Sequence, residues 1–248
     1  MPEVKLELRD GVAVLTLDAP DRRNALTVAM AHELIETCEA IDADDTVGAV
    51  VVCGEGAYFC AGGDRATLAA AGDDPAEPVT FAGLSAIYGS FARVGRLEAP
   101  TVAAVRGGAV GAGLNLALAT DLRVVAEDAV LLSGFLPIGL HPGGGHTVLL
   151  GRLGSREAAS ALALFGERLT GSELAARGLA WRALPSDEVE AAAFGLARVP
   201  AADPELARRT AQSLRATLGP PALPWSAALE LERASQMWSM RRRTLGAG

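Results

Sequence analysis

Two glycine-rich loops contain the residues best suited to bind a reacting group. The first is Phe59-Cys60-Ala61-Gly62-Gly63-Asp64, and the second runs from Gly108 to Gly113. The first follows Ala49–Cys53, a wholly apolar run typical of a strand that is covered on both faces, and the second follows the β-rich run Thr101–Val105. If the two strands share a sheet, each loop can direct one backbone N–H to the same point. Two amides that converge on one oxygen form an oxyanion hole, which stabilises a carbonyl oxygen as it gains negative charge.

A second set of candidates flanks a triglycine, in His141-Pro142-Gly143-Gly144-Gly145-His146. Imidazoles titrate at about pH 6.5 and can act as acid or base. His146 lies at a predicted helix start, where the helix dipole lowers a histidine pKa and leaves a neutral ring able to accept a proton. Capping or packing of the turn is the alternative for both histidines. Two histidines without a third ligand do not make a metal site, so no metal is predicted.

The elements that must position these residues alternate between strands and helices. Alternating runs on both sides of Asp10-Gly11 predict a β-hairpin. Thr27 is expected to cap a helix with its apolar face between Met30 and Ile41. Gly72–Pro78 reads as a mobile insertion. The pattern further predicts strands at 49–53, 101–105, 122–126, 129–132 and 179–184, and helices at 80–95, 114–118, 148–153, 155–165, 172–177, 187–199, 204–218 and 225–243.

Length and composition limit the function classes. The 248 residues suit one large α/β domain or a domain with a small helical appendage. A net charge of −8 and only 4% aromatic residues argue against binding of nucleic acid. No apolar run is long enough to span a membrane, and the first residues do not resemble a signal peptide. The three cysteines lack metal or redox spacing, so buried thiols and a cytoplasmic location are expected, with Cys60 the one candidate reactive thiol.

The ordered motifs resemble the enoyl-CoA hydratase/isomerase (crotonase) superfamily. The matching segments are Arg22-Arg23-Asn24-Ala25-Leu26, the first glycine loop, and residues 104–113, 119–123 and 139–145. Their order and spacing fit over roughly four-fifths of the chain, and it is the combination that is specific.

The resemblance implies an α/β fold, a crotonase-type spiral of repeated ββα units with a C-terminal helical region. It divides the chain into an acyl-CoA-binding core at 1–200 and a helical trimerisation region at 201–248. The implied partners are an acyl-CoA thioester and further copies of the chain in a homo-trimer or hexamer. No cofactor is implied, because coenzyme A is part of the substrate.

The resemblance also assigns site residues. The thioester carbonyl is expected to accept from the amides of Gly63 and Ala112. Arg23 is a candidate for the CoA phosphates or adenine ribose, with a solvated surface cation as the alternative. Asp64 is expected to order its loop. The further residues expected to line the substrate path are Ala25, Ala61, Gly62 and Phe135.

Departures from the family pattern are equally informative. Hydratases of this family carry two glutamates, and the matching positions here are Asn115 and Phe135. Neither side chain exchanges a proton near neutral pH, so two-carboxylate addition of water is not expected in its usual form. Asn115 can still bind a water or the acyl chain, and Phe135 makes the site drier. His146 and His141 are the candidates to replace the glutamates.

Three hypotheses follow. The first is an acyl-CoA enzyme of fatty acid metabolism that uses the oxyanion hole for hydration, isomerisation or thioester hydrolysis, most simply a lyase or isomerase. The second is a catalytically silent acyl-CoA-binding protein. The third is a structural subunit that pairs with an active paralogue.

Overall fold

The N-terminal hairpin confirms the first structural prediction. A computed structural model describes residues 2–70, 74, 76–219 and 222–246. Strands β1 (Val4–Arg9) and β2 (Val12–Leu17) pair antiparallel. The turn residues Asp10 and Gly11 have φ of 49° and 75°, a left-handed conformation that Asp and Gly tolerate.

The hairpin opens a six-stranded sheet within the described residues, in the order β1-β2-β3-β4-β6-β9. All neighbours from β2 onwards are parallel. The further strands are β3 (Ala49–Gly54), β4 (Thr101–Val105), β6 (Leu122–Ala126) and β9 (Arg182–Leu184). Every residue of β3 and β4 is buried, as their largely apolar sequences predict for central parallel strands.

A smaller sheet of three strands lies beside the site and was only partly predicted. It contains β5 (Gly108–Val110), β7 (Val130–Leu132) and β8 (Arg168–Thr170) in the order β5-β7-β8. Strand β5 pairs parallel with β7, and β7 pairs antiparallel with β8. The sequence prediction treated residues 108–110 as loop, because glycine weakens isolated strands. Pairing with β7 overrides that preference.

The helices that pack around the sheets lie close to the positions that the apolar periodicity of the sequence predicts. Thr27 caps α1 (Val28–Ala43) by accepting from the amide of Met30 at 3.1 Å. His32 is exposed on α1. The following helices are α2 (Arg65–Ala70), α3 (Pro78–Val94), α4 (Ala112–Ala119), α5 (His146–Leu153), α6 (Arg156–Ala163) and α7 (Gly171–Ala176).

Several predicted boundaries shift. Helix α2 was not predicted, α6 ends two residues before Phe165, and the last strand is confined to 182–184. Thr170 caps α7 through a reciprocal pair of hydrogen bonds with Glu173. Of the expected insertion Gly72–Pro78, residues 72, 73 and 75 lie outside the described residues.

The C-terminal region is helical, as expected. It contains α8 (Val189–Ala201), α9 (Pro204–Leu218) and α10 (Trp225–Gly246). Arg208 of α9 donates to the carbonyl of Asp44 at 2.6 Å, and Arg215 pairs with Asp121 at 2.6 Å, so α9 is held against the core. None of the helices in the described ranges combines the length and apolarity needed to cross a membrane. The division at residue 200 stays a prediction.

Replacement of Gly113 tests the close approach of α4 to the first glycine loop. A Cβ at Gly113 would lie closer than 3.0 Å to the carbonyl oxygen of Cys60, so backbone must move to admit it. We expect Gly113→Ala to lower the free energy of unfolding by about 2–3 kcal/mol in urea titrations.

The matched control is Gly151→Ala. Gly151 is also helical, and a Cβ there meets no atom within 4 Å. We expect it to be neutral or to stabilise by up to about 1 kcal/mol, because alanine favours helix. Equal effects of the two substitutions would contradict the predicted clash.

Candidate active site

Backbone hydrogen bonds join the two glycine loops directly. The amide of Cys60 donates to Gly108 O and the amide of Val110 donates to Cys60 O, each at 3.1 Å. On its other side, the first loop is tied to Leu26, whose amide donates to Gly62 O at 2.7 Å. The loops that the sequence predicted to approach each other are therefore in contact.

The amides of Gly63 and Ala112 lie at this junction. Ala112 is the first residue of α4, where an amide has no acceptor within its own helix. Over the ranges that the structure describes, neither amide donates to a protein acceptor. A Cβ at Gly62 would lie 2.7 Å from Val110 O and 3.6 Å from Ala112 N, so the contact requires glycine there. Gly63 is half-buried, and Ala112 is 9% exposed.

Asn24 supports the first loop, a role that the sequence analysis missed. Its buried side chain accepts from the amide of Ala19 at 2.8 Å and donates to Tyr58 O at 2.7 Å. Its φ of 55° is one that asparagine tolerates better than most residues. The one signal in the sequence is the position of Asn24 within Arg22-Arg23-Asn24-Ala25-Leu26, a segment that matches the family.

The residues expected to line the substrate path surround this loop. Arg23 is exposed, and its guanidinium lies over the Tyr58 ring at 5.0 Å. The carbonyl of Arg23 accepts from the amide of Ala61 at 2.9 Å. Ala25 is 8% exposed and Gly62 is buried. Arg23, Ala25, Ala61 and Gly62 are thus brought together beside Gly63.

Asp64 is held by the start of α2. It accepts from the Thr67 amide at 2.9 Å and from the Thr67 hydroxyl at 3.1 Å. The backbone hydrogen bond from Thr67 is the main reason that the pKa of Asp64 is lowered. The carboxylate therefore acts as a helix cap that orders the loop.

A buried hydrogen-bonded chain links Asn115, His146 and Ser133. The His146 Nδ1 lies 2.6 Å from Asn115 Oδ1, and its Nε2 lies 2.6 Å from Ser133 Oγ. The Asn115 Nδ2 donates to Gly143 O at 3.1 Å, which leaves Oδ1 facing the ring. Because Oδ1 only accepts, Nδ1 must carry the proton, and Nε2 accepts from the Ser133 hydroxyl.

The surroundings of this chain keep His146 neutral. His146 and Asn115 are each 1% exposed, and Ser133 is 3% exposed. The Phe135 ring lies edge-on to the imidazole, with centroids 5.1 Å apart. Burial lowers the pKa of His146 to about 4. The sequence analysis also predicted a lowered pKa for His146, but the cause is desolvation rather than the helix terminus.

The structure separates the two histidines. His141 is exposed, and its Nδ1 lies 2.7 Å from Pro142 O, so it does not join the cluster of Asn115, His146 and Phe135. Ser133 was missed, because a serine at the end of a short strand carries no distinguishing signal. Its one sequence clue is its position two residues before Phe135, which the family resemblance aligns with a glutamate.

The interpretation of Cys60 as a reactive thiol is wrong. Cys60 is fully buried, and burial raises its pKa to about 12, so the nucleophilic thiolate does not form near neutral pH. Cys38 and Cys53 are buried as well. Within the described ranges, no group of three or more His, Cys, Asp or Glu side chains is arranged to hold a metal ion.

Comparison with known proteins decides the family. The sequence matches the enoyl-CoA hydratase/isomerase family over residues 7–245. The chain belongs to this family. It is 42% identical to a probable enoyl-CoA hydratase of Mycobacterium tuberculosis over 221 residues, which cover 89% of this chain and 84% of the relative. It is 34% identical to the 1,2-epoxyphenylacetyl-CoA isomerase of Escherichia coli over 197 residues, covering 78% of this chain and 74% of that protein.

The family assignment extends to the fold. The crystal structure of an enoyl-CoA hydratase from Polaromonas sp. JS666 superposes with a TM-score of 0.88 at 29% identity, covering 98% of this chain and 93% of that one. The crotonase-type α/β fold with a C-terminal helical region is confirmed. As a member of a family of lyases and isomerases, the chain is an enoyl-CoA hydratase/isomerase-like enzyme.

Stability of this family member should depend on pH through His146. The pKa is about 4 in the folded state and about 6.5 in the unfolded chain, so the unfolded chain binds more protons between these values. Stability is therefore unaffected above pH 6.5 and falls by about 3 kcal/mol as pH drops towards 4.

Urea titrations of the wild type and His146→Gln from pH 4 to 7.5 measure this. The substitution removes the titrating ring, so the difference in unfolding free energy between the two proteins should change across this window. A constant difference would show that the pKa of His146 is the same in the folded and the unfolded protein, and would contradict the prediction.

Proposed function

We propose that this enzyme binds an acyl-CoA thioester and stabilises its enolate or oxyanion with the backbone amides of Gly63 and Ala112. The observation that carries the proposal is the junction of the two glycine loops, where neither amide donates to an acceptor among the residues that the structure describes. A thioester carbonyl is a suitable acceptor for both, because its oxygen gains charge during the reaction. One such donor typically contributes ~2.7–4 kcal/mol to transition-state stabilisation.

Small residues at these positions suit the role. Gly63 and Ala112 offer amides without large side chains, so a ligand can approach the backbone. Ala112 opens α4, whose N-terminal dipole also favours developing negative charge. Neither group has to ionise, so this part of the mechanism is independent of pH.

Proton transfer falls to His146 in this proposal. Phe135 cannot titrate, and Asn115 is committed to Gly143 O and to the imidazole. Within the described cluster, His146 is the group able to accept a proton near pH 7, because its ring is neutral. Asn115 acts through His146 and is a positioning residue.

The names of the relatives support a CoA thioester as substrate. Two relatives from Escherichia coli are named for CoA thioesters. They are 1,2-epoxyphenylacetyl-CoA isomerase and, at 33% identity to this chain, 2,3-dehydroadipyl-CoA hydratase. Arg23 is exposed beside Tyr58 and is available for a phosphate, with the aromatic ring next to it for the adenine. We propose no cofactor beyond the coenzyme A of the substrate.

Assembly into a trimer or a dimer of trimers is a further part of the proposal. The helices α9 and α10 expose apolar side chains that a neighbouring subunit can cover, among them Leu214, Leu218, Leu229 and Met237. Sedimentation equilibrium should give the mass of three or six chains, and a monomer would rule this out.

A catalytically silent acyl-CoA-binding protein is the second candidate. It is favoured by the low exposure of Asn115, Ser133 and His146, which leaves little room for a reactive water. Thermal shifts with saturated and α,β-unsaturated CoA esters, followed by product analysis, separate the candidates. Binding without any product supports the silent protein.

Removal of the Ala112 amide tests the proposed oxyanion hole. Proline is tolerated at the first position of a helix and lacks the N–H, so Ala112→Pro should fold and lose one donor. We expect kcat/KM on the best CoA ester of the panel to fall about 10²–10³-fold.

The control is Ala112→Ser, which changes the side chain and keeps the amide. We expect its kcat/KM to stay within about tenfold of the wild type, because the donor is kept and a tenfold change corresponds to about 1.4 kcal/mol. Equal losses in both variants would indicate a steric effect of the side chain and contradict the role of the amide.

A further inference from the structure

Ser133, His146 and Asn115 have the connectivity of a nucleophile, its base and a group that orients the base. The hydroxyl of Ser133 donates to Nε2, and Nδ1 donates to Asn115, both at 2.6 Å. Asn115 is itself fixed by Gly143 O. This is the general arrangement by which proteins activate a serine for acyl transfer.

The register of the small sheet places Ser133 beside the proposed oxyanion hole. Val110 pairs with Leu132, so Ser133 lies level with Gly111, one residue before Ala112. The Gly111 amide donates to Leu132 O at 3.2 Å and fixes this alignment. A Cβ at Gly111 would lie 3.4 Å from Ser133 O. Ser133 directly follows β7, and Ala112 opens α4 two residues after β5, so the two lie at the same end of this strand pair.

We propose that Ser133 is a catalytic nucleophile that hydrolyses acyl-CoA thioesters through an acyl-serine intermediate. This inference rests on the proposed binding of a thioester by Gly63 and Ala112. It specifies thioester hydrolysis as the reaction that the hydrogen-bonded Ser133, His146 and Asn115 support. The nucleophile is a residue with no counterpart among the family's two glutamates, which lie at the positions of Asn115 and Phe135.

The reaction balances with water as the second reactant. The Ser133 oxygen attacks the thioester carbonyl and its proton moves to Nε2 of His146. The C–S bond then breaks, and the thiolate of coenzyme A takes that proton. Water attacks the acyl-serine while Nε2 accepts its proton, and the C–Oγ bond breaks as the proton returns to Ser133. The products are a carboxylic acid and coenzyme A.

The hydrogen bonds of His146 favour transfer of the Ser133 proton to its ring. A ring that stays neutral at pH 7 can accept the serine proton, and its fixed tautomer presents Nε2 to the hydroxyl. Gly134 and Phe135 are half-buried next to Ser133, and Phe135 covers His146. The acyl group therefore has to pass the Phe135 ring to reach the Ser133 oxygen.

Butyryl-CoA is the probe for this reaction, because a saturated thioester offers no double bond to hydrate or move. We expect the full-length protein to release coenzyme A, measured with a chromogenic disulfide reagent. The protein's own thiols are buried, so they add little background. We also expect acid quenching to trap a butyryl group on the peptide that contains Ser133, identified by mass spectrometry.

Ser133→Ala should bind butyryl-CoA as the wild type does, by thermal shift, and release thiol at least about 100-fold more slowly. The matched control is Ser90→Ala. Ser90 is fully buried as well, but it donates to Ile87 O and contacts no histidine. We expect this variant to keep the wild-type rate.

The outcomes are distinguishable. Wild-type protein that binds butyryl-CoA without thiol release or acylation overturns the nucleophile and leaves the thioester site standing. Thiol release with acylation elsewhere, or at the wild-type rate in Ser133→Ala, overturns it as well. Failure of the wild type to bind any CoA ester removes the proposed function and this inference together. The mapped acyl-serine decides the case even if Ser133→Ala does not fold.

Discussion

Backbone contact between the two glycine loops is the constraint on which the site depends. The Cys60 backbone exchanges hydrogen bonds with Gly108 and Val110, and α4 starts immediately beyond this contact. Glycine is required at Gly62 and Gly113, because a Cβ at either position would collide with a carbonyl oxygen of the opposite loop. The same close approach leaves the amides of Gly63 and Ala112 at one junction.

Polar groups inside the site are stable only because they are paired. Among the residues described, no buried side-chain nitrogen or oxygen lacks a hydrogen-bond partner. An unpaired polar atom in this position would cost ~1–3 kcal/mol, and an ionised one more. Asn115, His146 and Ser133 satisfy one another as a neutral set, which explains why an ionisable ring is tolerated there with a lowered pKa.

The family fold and the reactive side chains are separable features of this enzyme. Backbone amides depend on the course of the chain, so they persist where side chains differ. The resemblance to the family aligns Asn115 and Phe135 with two glutamates, and on that alignment proton transfer requires a different group. His146 contacts both of these residues and is the group that we propose for this step. A common scaffold therefore does not determine a common reaction.

The sequence alone determined the fold class, the hairpin and most helices, because strand alternation, helical periodicity and caps such as Thr27 are local. It also identified the two glycine loops by their motifs. Strand β5 and the serine at its neighbouring strand were decided by tertiary pairing, which overrides local preference.

The two histidines show the same limit most clearly. His141 and His146 flank one triglycine and are equivalent in sequence, yet the chain turns one to solvent and the other into the core. The contacts that fix His146 join it to residues 13 and 31 positions away. Only the folded chain brings such distant groups together, so the sequence supplied the candidates and the tertiary structure chose among them.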